Sequence, residues 1–131
     1  MADLIDTIVY AGRLKDKSAM RSSSSGGAFT ALSDFFLENG NAVVAAIYNY
    51  ENHTAEFQMI LNKNQRERAK GSKYMQSKPG NAYREAYRWL LVNPEKELLF
   101  IGMGCQSDGF RKFSEIKGIR DRVYIVDIIC H

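Results

Sequence analysis

Cysteine is scarce in this chain. Two of its 131 residues, Cys105 and Cys130, carry thiols. They form no C-x-x-C arrangement and cannot by themselves complete a tetrahedral zinc site or an iron–sulfur cluster. A disulfide framework is not indicated either. The N-terminus "MADLIDTIVYAGRLKD" carries Asp3 and Asp6 and lacks the apolar stretch of a secretory signal. Long hydrophobic runs are missing too: the longest clean one, "AVVAAIY", falls far short of the roughly 20 residues that span a bilayer. These absences read as a cytoplasmic protein with no membrane insertion. Charge of one sign is nearly balanced, with a net +3, too mild for the footprint of a nucleic-acid binder. The most basic stretch, "KNQRERAKGSKYMQSK", is interrupted by Glu67 and offers Tyr74 as its one stacking ring. It reads as a short polar helix with a solvated face, followed by loop, and nucleic acid is not expected as a partner.

What is present suits one α/β domain over residues 1–131. Hydrophobic residues make up 45% of the chain and charged ones 25%, enough for a single core. "AFTALSDFFLENG" carries Phe29, Leu32, Phe35 and Phe36 at helical spacing and ends at Gly40, a natural helix stop. "NAVVAAIYNY", the turn "NYENHT" and "AEFQMILN" suggest an antiparallel hairpin, with His53 exposed in the turn. "AYREAYRWLLVN" spaces Tyr83, Ala86, Tyr87, Leu90 and Leu91 as one helical face before Pro94. "ELLFI" is a buried strand running into "GMGCQSDGF", followed by a short amphipathic segment around Phe110 and Phe113. "RVYIVDIICH" is the last strand. The expectation is a mixed β-sheet with helices packed on its faces. A strand finishing on "IICH" without cap or tail is expected to be an excerpt of a longer chain.

Two stretches invite chemistry. "RSSSSGGAF" places six small residues ahead of a helix. The first N–H groups of a helix lack partners and carry part of a positive charge, so Ser24 or Ser25 can simply cap the helix, or the run can wrap an anion. No Gly-Lys-Ser follows, so this is not a Walker loop. "GMGCQSDG" follows a strand as a dinucleotide loop does, but Ser107 stands where the third glycine of G-x-G-x-x-G belongs. Cys105 there is either a thiol activated by a helix start or a small hydrophobe filling a turn.

Taken in order, "RSSSSGGAF", "GSKYMQS", "LLFIGMGCQSDGF" and "DIICH" resemble the beta-subunit family of coenzyme F-420 hydrogenases and dehydrogenases, from about Val9 to His131. Its relatives include formate dehydrogenase beta subunits and a chlorophyll-cycle reductase. The resemblance implies an FAD-binding oxidoreductase subunit that relays electrons between a two-electron donor, such as reduced coenzyme F-420, and iron–sulfur centres. It implies that Ser23, Ser24, Ser25, Gly26 and Gly27 cradle the cofactor near its pyrophosphate. Lys73, Tyr74, Gln76 and Ser77 line the same pocket, and the turn holding Gly104 and Gln106 closes it. Cys105 and Cys130 are then cluster ligands of an incomplete set, and the partners are flavin, deazaflavin-type molecules and a ferredoxin-like region or other oxidoreductase subunits. A 4Fe–4S cluster is expected only in a longer protein. The 131 residues alone are expected to fold but to be inactive, with no cluster and little or no flavin. Two departures stand out. Met103 and Gly104 replace the family's Thr-Pro, making a rigid turn flexible, and the Gly-Val-Pro-Ser-Pro-like segment after Cys-His is not in this sequence. The alternative is a degenerate, non-catalytic docking or assembly module of the same family.

Overall fold

The computed structural model of the chain describes residues 7–21, 27–69, 77–78 and 80–128. Five helices and five strands occur among them: α1 (Lys17–Arg21), α2 (Ala28–Glu38), β1 (Ala42–Asn49), β2 (Thr54–Ile60), α3 (Lys63–Glu67), β3 (Ser77–Lys78), α4 (Ala82–Val92), β4 (Leu98–Met103), α5 (Gly104–Ile116) and β5 (Val123–Ile128). The strands form one mixed sheet in the order β3-β2-β1-β4-β5. β1 and β2 are the expected antiparallel hairpin, with Val44 opposite Met59 and Tyr48 opposite Ala55. β4 lies parallel to β1, pairing Val44 with Phe100, and β5 lies parallel to β4, pairing Phe100 with Ile125. β3 runs parallel to β2 on the other flank. The fold is α/β, as the sequence pattern predicts.

Alternation along the strands builds two cores. Ala42, Val44, Phe57, Leu98, Phe100 and Val123 point to one face and pack with Ala82, Ala86 and Leu90 of α4 and Phe110 of α5. Val43, Ala45, Ile47, Ile60, Leu99 and Ile101 point to the other, where Phe36 and Ala69 join them. The central strands are buried on both faces, which is why β4 reads as an unbroken apolar run.

Helix ends follow local rules. Gly40 takes φ 75° just past α2. Its N–H reaches the Leu37 carbonyl and that of Asn41 reaches Phe36, the paired bonds of a Schellman stop. Gly118, at φ 72°, ends α5 in the same way, with bonds from Gly118 to Glu115 and from Ile119 to Ser114.

Three local expectations are corrected. On α2, Leu32 and Phe35 are exposed; Thr30, Ser33 and Phe36 are buried, and Phe29 and Leu37 pack partly against the core. Leu91 of α4 is exposed as well, with Ala82, Ala86 and Leu90 buried instead. The stretch around Phe110 and Phe113 is not short: the helix begins at Gly104 and runs for 13 residues.

Candidate functional site

β1, β4 and β5 run parallel and therefore end along one edge of the sheet. β2 is antiparallel to β1, and β3 follows β2, so both begin at that same edge. The helices converge there too. α2 turns through Gly40 into the start of β1, so its C-terminus lies at the opposite edge. Phe36, near that end, packs edge-on against Tyr124 at the start of β5, with ring centroids 5.4 Å apart. Its 11 residues span about 16 Å, which carries Gly27 back toward the strand ends. α5 starts directly from the end of β4. Two helix N-termini, one from each face, thus meet the carboxyl ends of the parallel strands, where open α/β sheets bind ligands.

Five of the nominated residues can be located on this frame. Gly27 is the buried N-cap of α2, at φ 80°, and its carbonyl accepts the first helical bond from Ala31 at 3.0 Å. A left-handed cap of this kind favours glycine. Ser77 opens β3 beside Ala55, which itself pairs with Tyr48 at the end of β1. Gly104, Cys105 and Gln106 form the first turn of α5. The three described anchors of the nominated segments therefore share one edge. Ser23, Ser24, Ser25, Gly26, Lys73, Tyr74, Gln76 and Cys130 lie outside the described residues.

The start of α5 is better ordered than a glycine-rich turn would be. Met103 caps it in an extended conformation, φ −89° and ψ 161°. Its N–H donates to Oε1 of Gln106 at 3.3 Å, and the Tyr83 hydroxyl donates to the Gln106 carbonyl at 2.8 Å. Gly109 admits that hydroxyl, because a Cβ there would stand 3.1 Å from it. Burial, and secondarily the nearby Cys105 thiol, push the Tyr83 pKa upward. The flexible turn expected at Met103 and Gly104 is thus corrected to a capped helix start. Cys105 does not end a strand: it is the second residue of α5 and is exposed. Exposure also rules out the small buried filler.

Arg66 is the residue that sequence reasoning passed over. The basic run around it reads as a solvated face, yet the Arg66 side chain is 5% exposed and its Nη1 reaches Asp34, Ser33 and Thr30 of α2. The signal available was the polar pair Thr30 and Ser33, three apart on a helix that also carries Asp34. At the hairpin tip, Tyr48 and His53 share a 3.0 Å hydrogen bond and Tyr50 packs edge-on against Tyr48, 4.7 Å between centroids.

The two helix starts at this edge are compatible with an anionic group. The first turns of both α2 and α5 hold no acidic residue, so nothing there opposes phosphate. An iron–sulfur cluster does not fit these residues alone, since two cysteines supply half of a four-thiolate set. Among the described residues no group of three or more His, Cys, Asp or Glu side chains could hold a metal ion, and no helix is long and apolar enough to cross a membrane.

Comparison with known proteins converges on one family. The model of the coenzyme F420 hydrogenase/dehydrogenase beta subunit N-terminal family matches residues 9–82, more than half of the chain. No curated protein matches. Among solved structures, a chain of the xenon-derivatized F420-reducing [NiFe] hydrogenase complex from Methanosarcina barkeri superposes with a TM-score of 0.71. It is 20% identical in sequence, and the match covers 90% of this chain and 42% of that one. The chain thus spans less than half the length of that relative, whose fold it shares. It belongs to the coenzyme F420 hydrogenase/dehydrogenase beta subunit N-terminal family.

Proposed function

We propose that this member of the family is the flavin-binding part of an oxidoreductase subunit, and that the carboxyl edge of its sheet holds FAD. The observation that carries this reading is the convergence of Gly27, Ser77 and the Gly104–Gln106 turn on one edge, flanked by two helix starts free of acid. In this reading Ser23 to Gly27 and the first amides of α2 hold the pyrophosphate. Lys73, Tyr74, Gln76 and Ser77 border the ring system, with Lys73 placed to favour negative charge on it. Gly104 and Gln106 close the site from the α5 side, and Tyr83 keeps that closure in place through the Gln106 carbonyl. FAD, when bound, would supply exchange between hydride transfer and single electrons. Any cluster taking those electrons needs ligands beyond Cys105 and Cys130. Reduced coenzyme F-420 is the proposed donor class, by analogy with the family name.

The docking-module alternative rests on Met103 and Gly104 altering a cofactor-facing turn. It is weakened by a helix that begins there with its cap bond made. Protein purified from the complete reading frame tests the two readings. The flavin reading expects a yellow protein, or quenching of FAD fluorescence that saturates at one equivalent. A colourless preparation that leaves FAD fluorescence unchanged favours the docking module.

A further inference from the structure

The two borders of the sheet are unlike. β3, at one border, is two residues long and ends on Lys78. β5, at the other, runs for six residues and pairs with β4 along one side only. Edge strands are commonly blunted by shortness, lysine or proline, because their free N–H and C=O groups invite another strand. β3 has the first two of these protections. The sequence of β5, VYIVDI, has none of the three, and its one charge is Asp127. Its first carbonyl is already taken, since Arg120 Nη1 donates to the Val123 oxygen at 2.7 Å. Residues 124–128 are what this border offers. On the α2 side of the sheet, Tyr124, Val126 and Ile128 share a face. Val126 packs against the core there, while Tyr124 and Ile128 stay half exposed, at 52% and 53%.

We propose that β5 is a self-association edge, where a second copy of this chain adds its own β5 antiparallel about a two-fold axis through Val126. Nothing in this pairing depends on the flavin site. An axis normal to the sheet keeps each face on its own side, so opposed residues lie an even number apart in sequence. Centring on Asp127 sets two carboxylates opposite each other, which is unfavourable. Centring on Ile125 sets Ile128 against Arg122, whose guanidinium is committed to the carbonyls of Leu90, Asn93 and Lys96. Centring on Val126 sets Tyr124 against Ile128 twice over, an aromatic and a β-branched side chain, and keeps like charges from opposing. Phe35, joined to Tyr124 through the Phe36 ring, stands at the rim, where substitutions matter little. Two half-exposed side chains and a strand edge from each copy bury on the order of 800–1,000 Å² in total, the low end for a specific interface. The dimer is therefore weak. Its antiparallel join points the carboxyl edges of the two sheets in opposite directions and leaves both open.

Sedimentation of protein from the complete reading frame, between about 1 and 300 μM, tests this and should show a monomer–dimer equilibrium with a Kd of roughly 1–100 μM. Tyr124→Lys or Ile128→Glu alone should weaken the dimer by about tenfold or more, with the circular dichroism of the parent retained. Tyr124→Lys combined with Ile128→Glu sets opposite charges across the axis. That double variant should recover the parent Kd to within about threefold and become salt-sensitive. Ile116→Glu, at a residue 82% exposed on α5, is the control and should leave the Kd within about twofold. A protein that stays monomeric at the highest concentration overturns the proposal, whether its own polypeptide or another protein covers β5. A dimer indifferent to both single variants overturns it as well. A double variant no tighter than the singles overturns the pairing about Val126.

Discussion

On the α4/α5 side of the sheet, rings stack in series. Phe57 lies against Phe100 at 5.2 Å, Phe100 against Phe110 at 4.5 Å, and Tyr83 leans on both Phe100 and Phe110. On the α2/α3 side, Phe36 is buried and Phe29 packs partly against it, a buried arginine ties the helices together, and Leu32, Phe35, Tyr124 and Ile128 remain exposed. The difference separates two tasks. Dispersion and apolar burial concentrate on the first face, where contacts are dense and tolerate little change. The second face is joined by directional polar bonds, which define how segments sit against each other more than how tightly they hold. Of the nominated residues, Gly27 opens α2 on this second face, Ser77 lies in β3 at the flank of the sheet, and Gly104 to Gln106 start α5 on the first.

The sharpest way to break this comparison is to remove one ring from each face. Phe110→Ala should destabilise by about 3–5 kcal/mol, since Phe110 is fully buried within the aromatic stack. Phe35→Ala, at a residue 66% exposed, should change stability by less than about 0.5 kcal/mol. Chemical denaturation of both variants measures it, and equal losses would show that the two faces share the load.

A second variant asks whether the start of α5 is as rigid as its cap bond implies. Gly104 is the first helical residue, a Cβ there would meet nothing within 4 Å, and Met103 before it is already extended. Proline is favoured at that position and demands an extended predecessor. Gly104→Pro, which restores the residue that the family pattern carries, should raise stability by about 0.4–1 kcal/mol. A loss of more than about 1 kcal/mol would mean that the glycine conformation is needed.

The smallest effect is alkaline. The pKa values of Tyr83, through burial, and Lys63, through its hydrogen bond to Glu38, are raised from 10.0 and 10.5. The folded state thus holds these protons more tightly than the unfolded chain does. Their stabilisation is complete below pH 10 and falls as pH rises through the folded-state values. Tyr83→Phe should flatten part of that decline in denaturation midpoints between pH 9 and 11. An unchanged slope would remove Tyr83 from the account.

Much of the fold was legible because it depends on neighbours in sequence. β1, β2, β4 and β5 stand out as short apolar runs, and "NYENHT" between two of them reads as a turn. The inward face of α2 was not legible. Its phenylalanines and leucines suggest one stripe, but Arg66, 33 residues away from Ser33 along the chain, selects the polar stripe of Thr30 and Ser33 for burial. The length of α5 was hidden by Gly102, Gly104 and Gly109, which look like breakers. Gly109 instead makes room for Tyr83, and Gly102 avoids the Phe100 and Phe57 rings, which a Cβ would approach to 2.8 and 3.2 Å.

By itself the sequence determined where segments start, stop and turn. Such choices are settled within a few residues by backbone sterics, hydrogen bonds and apolar period, as at Gly40 and Gly118, where the positive φ closes a helix. Only the tertiary structure decided the order β3-β2-β1-β4-β5, the shared edge of Gly27, Ser77 and Gly104, and the burial of Arg66. Those outcomes depend on pairings between distant stretches. A strand's apolar pattern shows that it will be covered but not which neighbour covers it, and a charge is buried only where distant groups arrive to satisfy it.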